Sequence, residues 1–302
     1  MDGVTDAAFR KLIATETDKP DVLITEFTNV EGLNSAGKNE SLKRLKFSPS
    51  EHPIVAQIWG LNPENFYIAA KEIAEMGFDG IDLNMGCPQK DVTKTGACSA
   101  LINNHALAKE IITATKKGAP GLPVSVKTRL GFKEIQTEEW IGFLLQQDLP
   151  ALIIHGRTVK EMSDVPAHWD EIAKVVELRN KISPNTLIIG NGDVESIKQG
   201  EQYFREFGID GIMIGRGIFK NPWLFSKNQK EKLKKEKLSL LQKHVAGYEK
   251  IWGDGRDFNA LKKYFKIYIS GFDGASDLRV KFMETKNYQE VEMLVKSQLQ
   301  SL

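Results

Sequence analysis

Ile81-Asp82-Leu83-Asn84-Met85-Gly86-Cys87-Pro88 closes a strand-like run with a turn that delivers an asparagine and a cysteine to one spot. Alternation along a strand sends Asp82 and Asn84 to one face and Ile81, Leu83 and Met85 to the other. Gly86 is read as permitting the turn, and Pro88 as stopping further pairing. A thiol at a strand end is placed to act as an acid or a nucleophile, whereas a cysteine buried mid-strand is only a small hydrophobe. Cys87 is therefore the candidate catalytic residue. The second cysteine, Cys98, lies in the same region. The pair has neither CxxC spacing nor a histidine pattern suited to zinc, so no metal is expected and a reducing compartment is.

The elements that must position this turn alternate in the manner of βα units. Strand candidates are Asp21 to Phe27, Pro53 to Trp59, Gly80 to Met85, Pro123 to Leu130, Ala151 to Arg157, Thr186 to Gly190 and Gly211 to Gly215. Helical patterns fall at Thr5 to Glu16, Pro63 to Met76, His105 to Lys117, Thr137 to Gln147, Trp169 to Lys181 and Ser196 to Phe207. Seven parallel strands are visible, whereas a (β/α)8 barrel needs eight, and the first helical pattern begins almost at Met1. A first strand would lie upstream of residue 1, or survive here only as its last few residues.

Polar residues share one parity within these strands: Gln57, then Asp82 with Asn84, Lys127 with Arg129, and His155 with Arg157. They cluster toward strand C-termini, where barrel enzymes keep their active sites. Asn191-Gly192-Asp193 and Gly215-Arg216-Gly217 follow the last two strands and read as a phosphate cradle, with Arg216 adding a charge-assisted contact. No Gly-x-Gly-x-x-Gly after the first strand supports a Rossmann fold.

At 302 residues the chain can hold a barrel and a small appendage. It carries no basic, apolar leader and no apolar stretch long enough to span a bilayer, so it is expected to be soluble and cytoplasmic, a monomer by default. The net charge of +1 hides an asymmetry. From Ser226 onward 16 Lys+Arg stand against 10 Asp+Glu, leaving the first 225 residues at −5. There the β signal ceases, and helical patterns run from Lys230 to Ile251, Phe258 to Ile269 and Tyr288 to Leu299. Two domains are expected: a catalytic barrel over 1–225 and a helical domain over 226–302. The lysines of the second, from Lys227 to Lys266, are interleaved with Tyr264, Phe265 and Tyr268, a pattern open either to a polyanionic partner or to a solvated amphipathic surface.

Asn84-Met85-Gly86-Cys87-Pro88, Lys127-Thr128-Arg129-Leu130-Gly131, His155-Gly156-Arg157-Thr158, Asn191-Gly192-Asp193 and Gly215-Arg216-Gly217 with Asn221-Pro222-Trp223, taken in order, resemble the tRNA-dihydrouridine synthases. Met1-Asp2-Gly3-Val4-Thr5-Asp6 with Phe9-Arg10 is similar to the family's opening, and Asn191-Gly192-Asp193 to its bacterial B-type branch. The resemblance implies an FMN-dependent TIM (β/α)8 barrel, its first strand truncated, with a C-terminal all-helical domain that holds tRNA. It also implies NAD(P)H as reductant, hydride delivery to C6 of a uracil and a proton from Cys87 to C5. By the same carry-over, Lys127 and His155 contact flavin and uracil carbonyls, Asn84 orients substrate, and Gln57 hydrogen-bonds the isoalloxazine. Asn191, Gly192, Asp193, Gly215 and Arg216 hold the FMN phosphate, and Arg157 binds flavin phosphate or substrate, or pairs with a carboxylate such as Asp82. Chemistry agrees, since saturating an enone-like bond needs a hydride donor and a positioned acid.

Two departures stand out. The family has a strand ending in Ala-Pro-Met before the Gly-Val-Thr-Asp element; here only Met1 remains of this flavin-binding segment, and the natural start is expected upstream. Cys98 replaces a small residue, often glycine, and is read as a packing residue. The competing readings are a dihydroorotate dehydrogenase-like flavoenzyme acting on a free pyrimidine and a redox-inactive RNA-binding relative. A uracil inside folded tRNA must be flipped outward to react, which gives the basic tail a purpose in phosphate contacts.

Overall fold

The computed structural model describes residues 3–226 and 230–302; the expectations for Met1 and Lys227 lie outside the described residues. Its sheet comprises β1 (Leu23–Ile24), β2 (Thr28–Asn29), β3 (Ile54–Trp59), β4 (Gly80–Met85), β5 (Val124–Arg129), β6 (Ala151–His155), β7 (Leu187–Asn191) and β8 (Gly211–Met213). All pairings are parallel, in the order β1-β3-β4-β5-β6-β7-β8, with β2 also on β3. Parallel neighbours need crossovers, and the helices Pro63–Glu75, His105–Gly118, Trp169–Ile182 and Ile197–Phe207 supply them. This is the TIM-barrel pattern. Among the described residues no pairing joins β8 back to β1, and no strand precedes the helix Ala7–Glu16.

Local chemistry starts these helices where the sequence suggests. Asn62 caps Glu64 N–H at 3.0 Å with Pro63 in the first turn, Asn104 caps Leu107 N–H at 3.2 Å, and Ser196 caps Gln199 N–H at 3.1 Å. The strands contribute Ile54, Ile58, Ile81, Leu83, Val126 and Ile154 to the core, all buried. The expected strand Asp21 to Phe27 is instead two short pieces. Between them Thr25 Oγ1, not a backbone carbonyl, accepts the Gln57 N–H at 3.0 Å, and this side chain interrupts the ladder. The expected helix Thr137 to Gln147 is a π-turn, Thr137–Ile141, running into Gly142–Leu145.

Two compact units emerge among the described residues, one of Gly3, 21–46 and 52–215, the other of 4–20, 47–51, 216–226 and 230–302. In the second, the helix Ala7–Glu16 packs on the long helix Lys234–Trp252. Phe9 lies against Tyr264 with ring centroids 5.4 Å apart, and the buried Arg10 Nε donates to Glu51 at 2.9 Å. The segment before residue 20 thus joins the helical unit through partners distant in sequence. Its longer helices also include Ala275–Glu284, which the sequence pattern does not suggest, and Tyr288–Gln300. The stretch Phe258 to Ile269 breaks into Asn259–Lys262 and Phe265–Tyr268.

Candidate active site

Register does the first work. Gln57 pairs with Asp82, Asn84 with Lys127, and Arg129 with His155, which in turn pairs with Asn191. Partners at one level of a parallel ladder send side chains to the same face, so the shared parity becomes a cluster at the strand ends.

The turn after β4 is held by side chains. Asn84 Oδ1 accepts the N–H groups of Gly86 at 3.1 Å and Cys87 at 3.0 Å, an Asx-type turn. Ser99 Oγ donates to the Cys87 carbonyl at 2.7 Å, and Arg129 Nε donates to the Gly86 carbonyl at 3.0 Å. Gly86 is needed for a reason other than turn conformation, since its φ is not positive. A Cβ there would sit 3.1 Å from Thr128 Cα, so glycine lets the turn press against β5. Cys87 is half-buried, whereas Cys98 is fully buried at a φ of 52°, in the left-handed region where glycine is at ease. Burial, and then Cys87 beside it, pushes the Cys98 thiol pKa up.

Beneath the turn lies a buried polar chain. Asn84 Nδ2 donates to Gln57 Oε1 at 3.1 Å, Gln57 Nε2 donates to Asp82 Oδ2 at 2.7 Å, and Ser125 Oγ donates to Asp82 Oδ1 at 2.6 Å. Burial raises the Asp82 pKa to about 6, against the hydrogen bonds of Ser125 and Gln57 and the charge of Lys127. Lys127 Nζ donates to Asn191 Oδ1 at 3.2 Å, and Asn191 Nδ2 to the Met213 carbonyl at 2.8 Å. Burial, followed by the Arg129 charge, lowers the Lys127 pKa to about 8, while Asp82 and Cys87 act in the opposite sense. Thiol, carboxylate and ammonium therefore share one electrostatic environment. Ser125 shares the parity of Lys127 and Arg129 and pairs with Asp82 in the ladder, a signal that a neutral hydroxyl makes easy to pass over, whereas Ser99 lies on the helical turn Cys98–Asn103, where strand parity does not apply.

Arg157 is tied down by neighbours other than Asp82. Its guanidinium pairs with Asp193 and donates to the Val165 carbonyl at 2.5 Å and to His155 Nε2 at 3.1 Å. A guanidinium only donates, so His155 Nε2 accepts and the ring proton resides on Nδ1. The Asp193 carboxylate also takes the Ala167 N–H at 2.9 Å. Gly192 has a φ of 130°, and a Cβ there would lie 2.7 Å from the Ala167 Cβ. Gly192→Ala is accordingly expected to cost about 1–3 kcal/mol of unfolding free energy, read by urea titration; an unchanged midpoint would mean the turn relaxes freely. Gly215 ends the sheet-containing unit, and Arg216 belongs to the helical unit, where it precedes the helix Gly217–Lys220.

Within the helical unit Tyr264, Phe265 and Tyr268 are buried, so the aromatics interleaved with lysines are core, while Lys263 and Lys266 face solvent. A cavity of about 150 Å³ is lined by Lys220, Trp223, Lys230, Lys232 and Lys237 among others. Among the described residues no helix is long and apolar enough to cross a membrane.

A parallel β/α sheet of TIM-barrel type, with a thiol on a side-chain-locked turn and a part-buried lysine at its strand ends, defines this chain as a barrel-type enzyme. A family model described as dihydrouridine synthase matches residues 1–302. The chain is 47% identical over 298 residues to a probable tRNA-dihydrouridine synthase of Staphylococcus aureus (strain COL), covering 98% of this chain and 90% of that one. It is 46% identical to probable tRNA-dihydrouridine synthase 2 of Bacillus subtilis (strain 168), covering 98% and 91%. It therefore belongs to the dihydrouridine synthase family. Among solved structures, morphinone reductase in complex with tetrahydroNAD is similar in fold, with a TM-score of 0.52, 11% identity and coverage of 74% of this chain and 81% of that one.

Proposed function

We propose that this protein is an FMN-dependent tRNA-dihydrouridine synthase that saturates the C5–C6 bond of specific uridines, with Cys87 as the proton donor. The observation that carries the reading is Cys87, held on a turn locked by Asn84 and Ser99 beside Lys127, in a chain of this family.

The residues present suit FMN. Gly192 leaves a cradle that a Cβ would fill, Lys127 offers a part-buried cation, and the nearby carboxylates are already engaged, Asp82 by Ser125 and Gln57 and Asp193 by Arg157. In this reading Lys127 and Gln57 face the flavin ring, and Asn191 belongs with the phosphate-holding turn. The backbone at Gly192, Asp193 and Gly215 holds its phosphate, with Arg157 bracing Asp193. Met1 and Arg216 rest on resemblance alone. When bound, reduced FMN supplies the hydride for C6, with NAD(P)H as the source of its electrons.

The chain's own residues do the rest. His155 and Lys127 hold uracil oxygens where charge develops. Cys87 gives its proton to C5, and the thiolate left behind is stabilised by the Lys127 ammonium, because the attraction by which Cys87 raises the Lys127 pKa acts equally on the thiolate. Flipping the uridine costs a few kcal/mol, offset by phosphate contacts from lysines such as Lys220, Lys230 and Lys237. On this reading the protein works in the cytoplasm, where a tRNA substrate is met.

The test is nucleoside mass spectrometry of unmodified tRNA incubated with FMN-loaded protein and NADPH. Dihydrouridine is expected. Flavin oxidised only in the presence of a free pyrimidine would point to dihydroorotate dehydrogenase-like chemistry, and a protein unable to hold flavin to a redox-inactive RNA-binding relative.

A further inference from the structure

The hydrogen-bond chain under Cys87 has a direction, and one residue sets it. An ionised carboxylate only accepts, so Asp82 obliges Gln57 to turn its NH2 toward it, at 2.7 Å. Gln57 Oε1 must then face Asn84, which answers with Nδ2 at 3.1 Å. That leaves Asn84 Oδ1 pointing at the Cys87 and Gly86 N–H groups, the orientation the turn requires. With Asp82, Gln57 and Asn84 all buried, water offers these groups little competition. If the amide of Asn84 reversed, an NH2 would confront two backbone N–H donors and the turn would open.

We infer that Asp82 is a positioning residue for Cys87, acting through the amides of Gln57 and Asn84 rather than on substrate or cofactor. The inference rests on the reading of Cys87 as the acid. It predicts that the chain works in either direction provided donors and acceptors alternate. Asn84→Asp keeps an oxygen for the turn but has no hydrogen for Gln57 Oε1, so two acceptors meet at position 84 or at Asp82, whichever way Gln57 turns. Asp82→Asn alone still accepts from Gln57, with its NH2 then turned to Ser125 Oγ, which must accept instead of donate, and it loses the constraint on direction. Combining the two reverses the chain: the new amide at position 82 donates to Gln57 Oε1, and Gln57 Nε2 donates to the new carboxylate at position 84.

The experiment compares wild type, both single variants and the double variant as FMN-loaded proteins. It reads kcat and KM for tRNA, together with the rate of Cys87 alkylation by iodoacetamide followed by mass spectrometry. Asn84→Asp is expected to lower kcat by at least about tenfold, with KM for tRNA little changed and the alkylation rate displaced. Asp82→Asn is expected to do less. The double variant should regain most of the lost kcat and the wild-type alkylation rate. A double variant no better than Asn84→Asp, or one that fails to fold, overturns the inference, as do single variants with unchanged kcat and alkylation. If Asn84→Asp alone does not fold, recovery of a folded, active double variant supports it. Should wild type make no dihydrouridine, the functional reading fails separately, and alkylation still reports whether the chain positions the thiol.

Discussion

Cys87→Ala is expected to slow dihydrouridine formation by roughly 10²- to 10⁴-fold, the range for loss of a positioned general acid. Alanine removes the thiol and leaves the backbone groups that build the turn, the N–H donated to Asn84 and the carbonyl bonded to Ser99. Loss of rate is therefore not attributable to collapse of the loop. The alanine variant should retain FMN and accept electrons from NAD(P)H as wild type does, so the defect appears only when tRNA is added. Single-turnover mixing of reduced holoenzyme with tRNA, read by flavin absorbance and nucleoside mass spectrometry, separates the two stages. A variant that forms dihydrouridine at the wild-type rate would reassign the proton to another donor, and the buried Cys98, beside Cys87, would be the next thiol to replace.

Lys127→Met is expected to lower the rate by about 10²-fold or more, the scale for losing one electrostatic donor at a developing charge. It is also expected to raise the thermal midpoint at neutral pH. The opposition follows from the sign of the shift. Burial lowers the folded pKa to about 8 from an ordinary 10.5, so at pH 7 the fold holds a charge it disfavours. Between those values the unfolded chain binds the extra proton, and Lys127 contributes stability that rises with pH. Methionine of similar length removes the penalty below pH 8. In wild type, kcat/KM should fall as pH rises through about 8, where the ammonium deprotonates, and in the methionine variant any fall that remains belongs to the acid Cys87 itself. Calorimetry and a pH–rate profile check both halves; a variant that is slower and also less stable would show Lys127 to be structural.

Much of this site was legible because two short-range rules reinforce each other. The two-residue strand period put Gln57, Asp82, Asn84, Lys127 and His155 on matching faces, and parallel pairing between successive strands then set them side by side. Helix starts at Asn62, Asn104 and Ser196 were readable because a cap is a contact within three residues. The family, too, was carried by short runs of residues.

The partner of Arg157 was not legible. Asp82 and Asp193 are equally plausible by charge, and only the path of the loops after β6 and β7 brings Asp193 to the guanidinium. Nor does any local pattern explain why the helix Ala7–Glu16 packs among the C-terminal helices, with Phe9 on Tyr264, or why Asp21 to Phe27 breaks at Thr25. The sequence by itself determined which side chains share a face, because alternation and capping are properties of a few consecutive residues. Tertiary structure alone decided which way each amide points and which cation meets which carboxylate. Those choices depend on donors and acceptors from strands remote in the chain meeting where water is excluded, so each group must take the partner that packing provides.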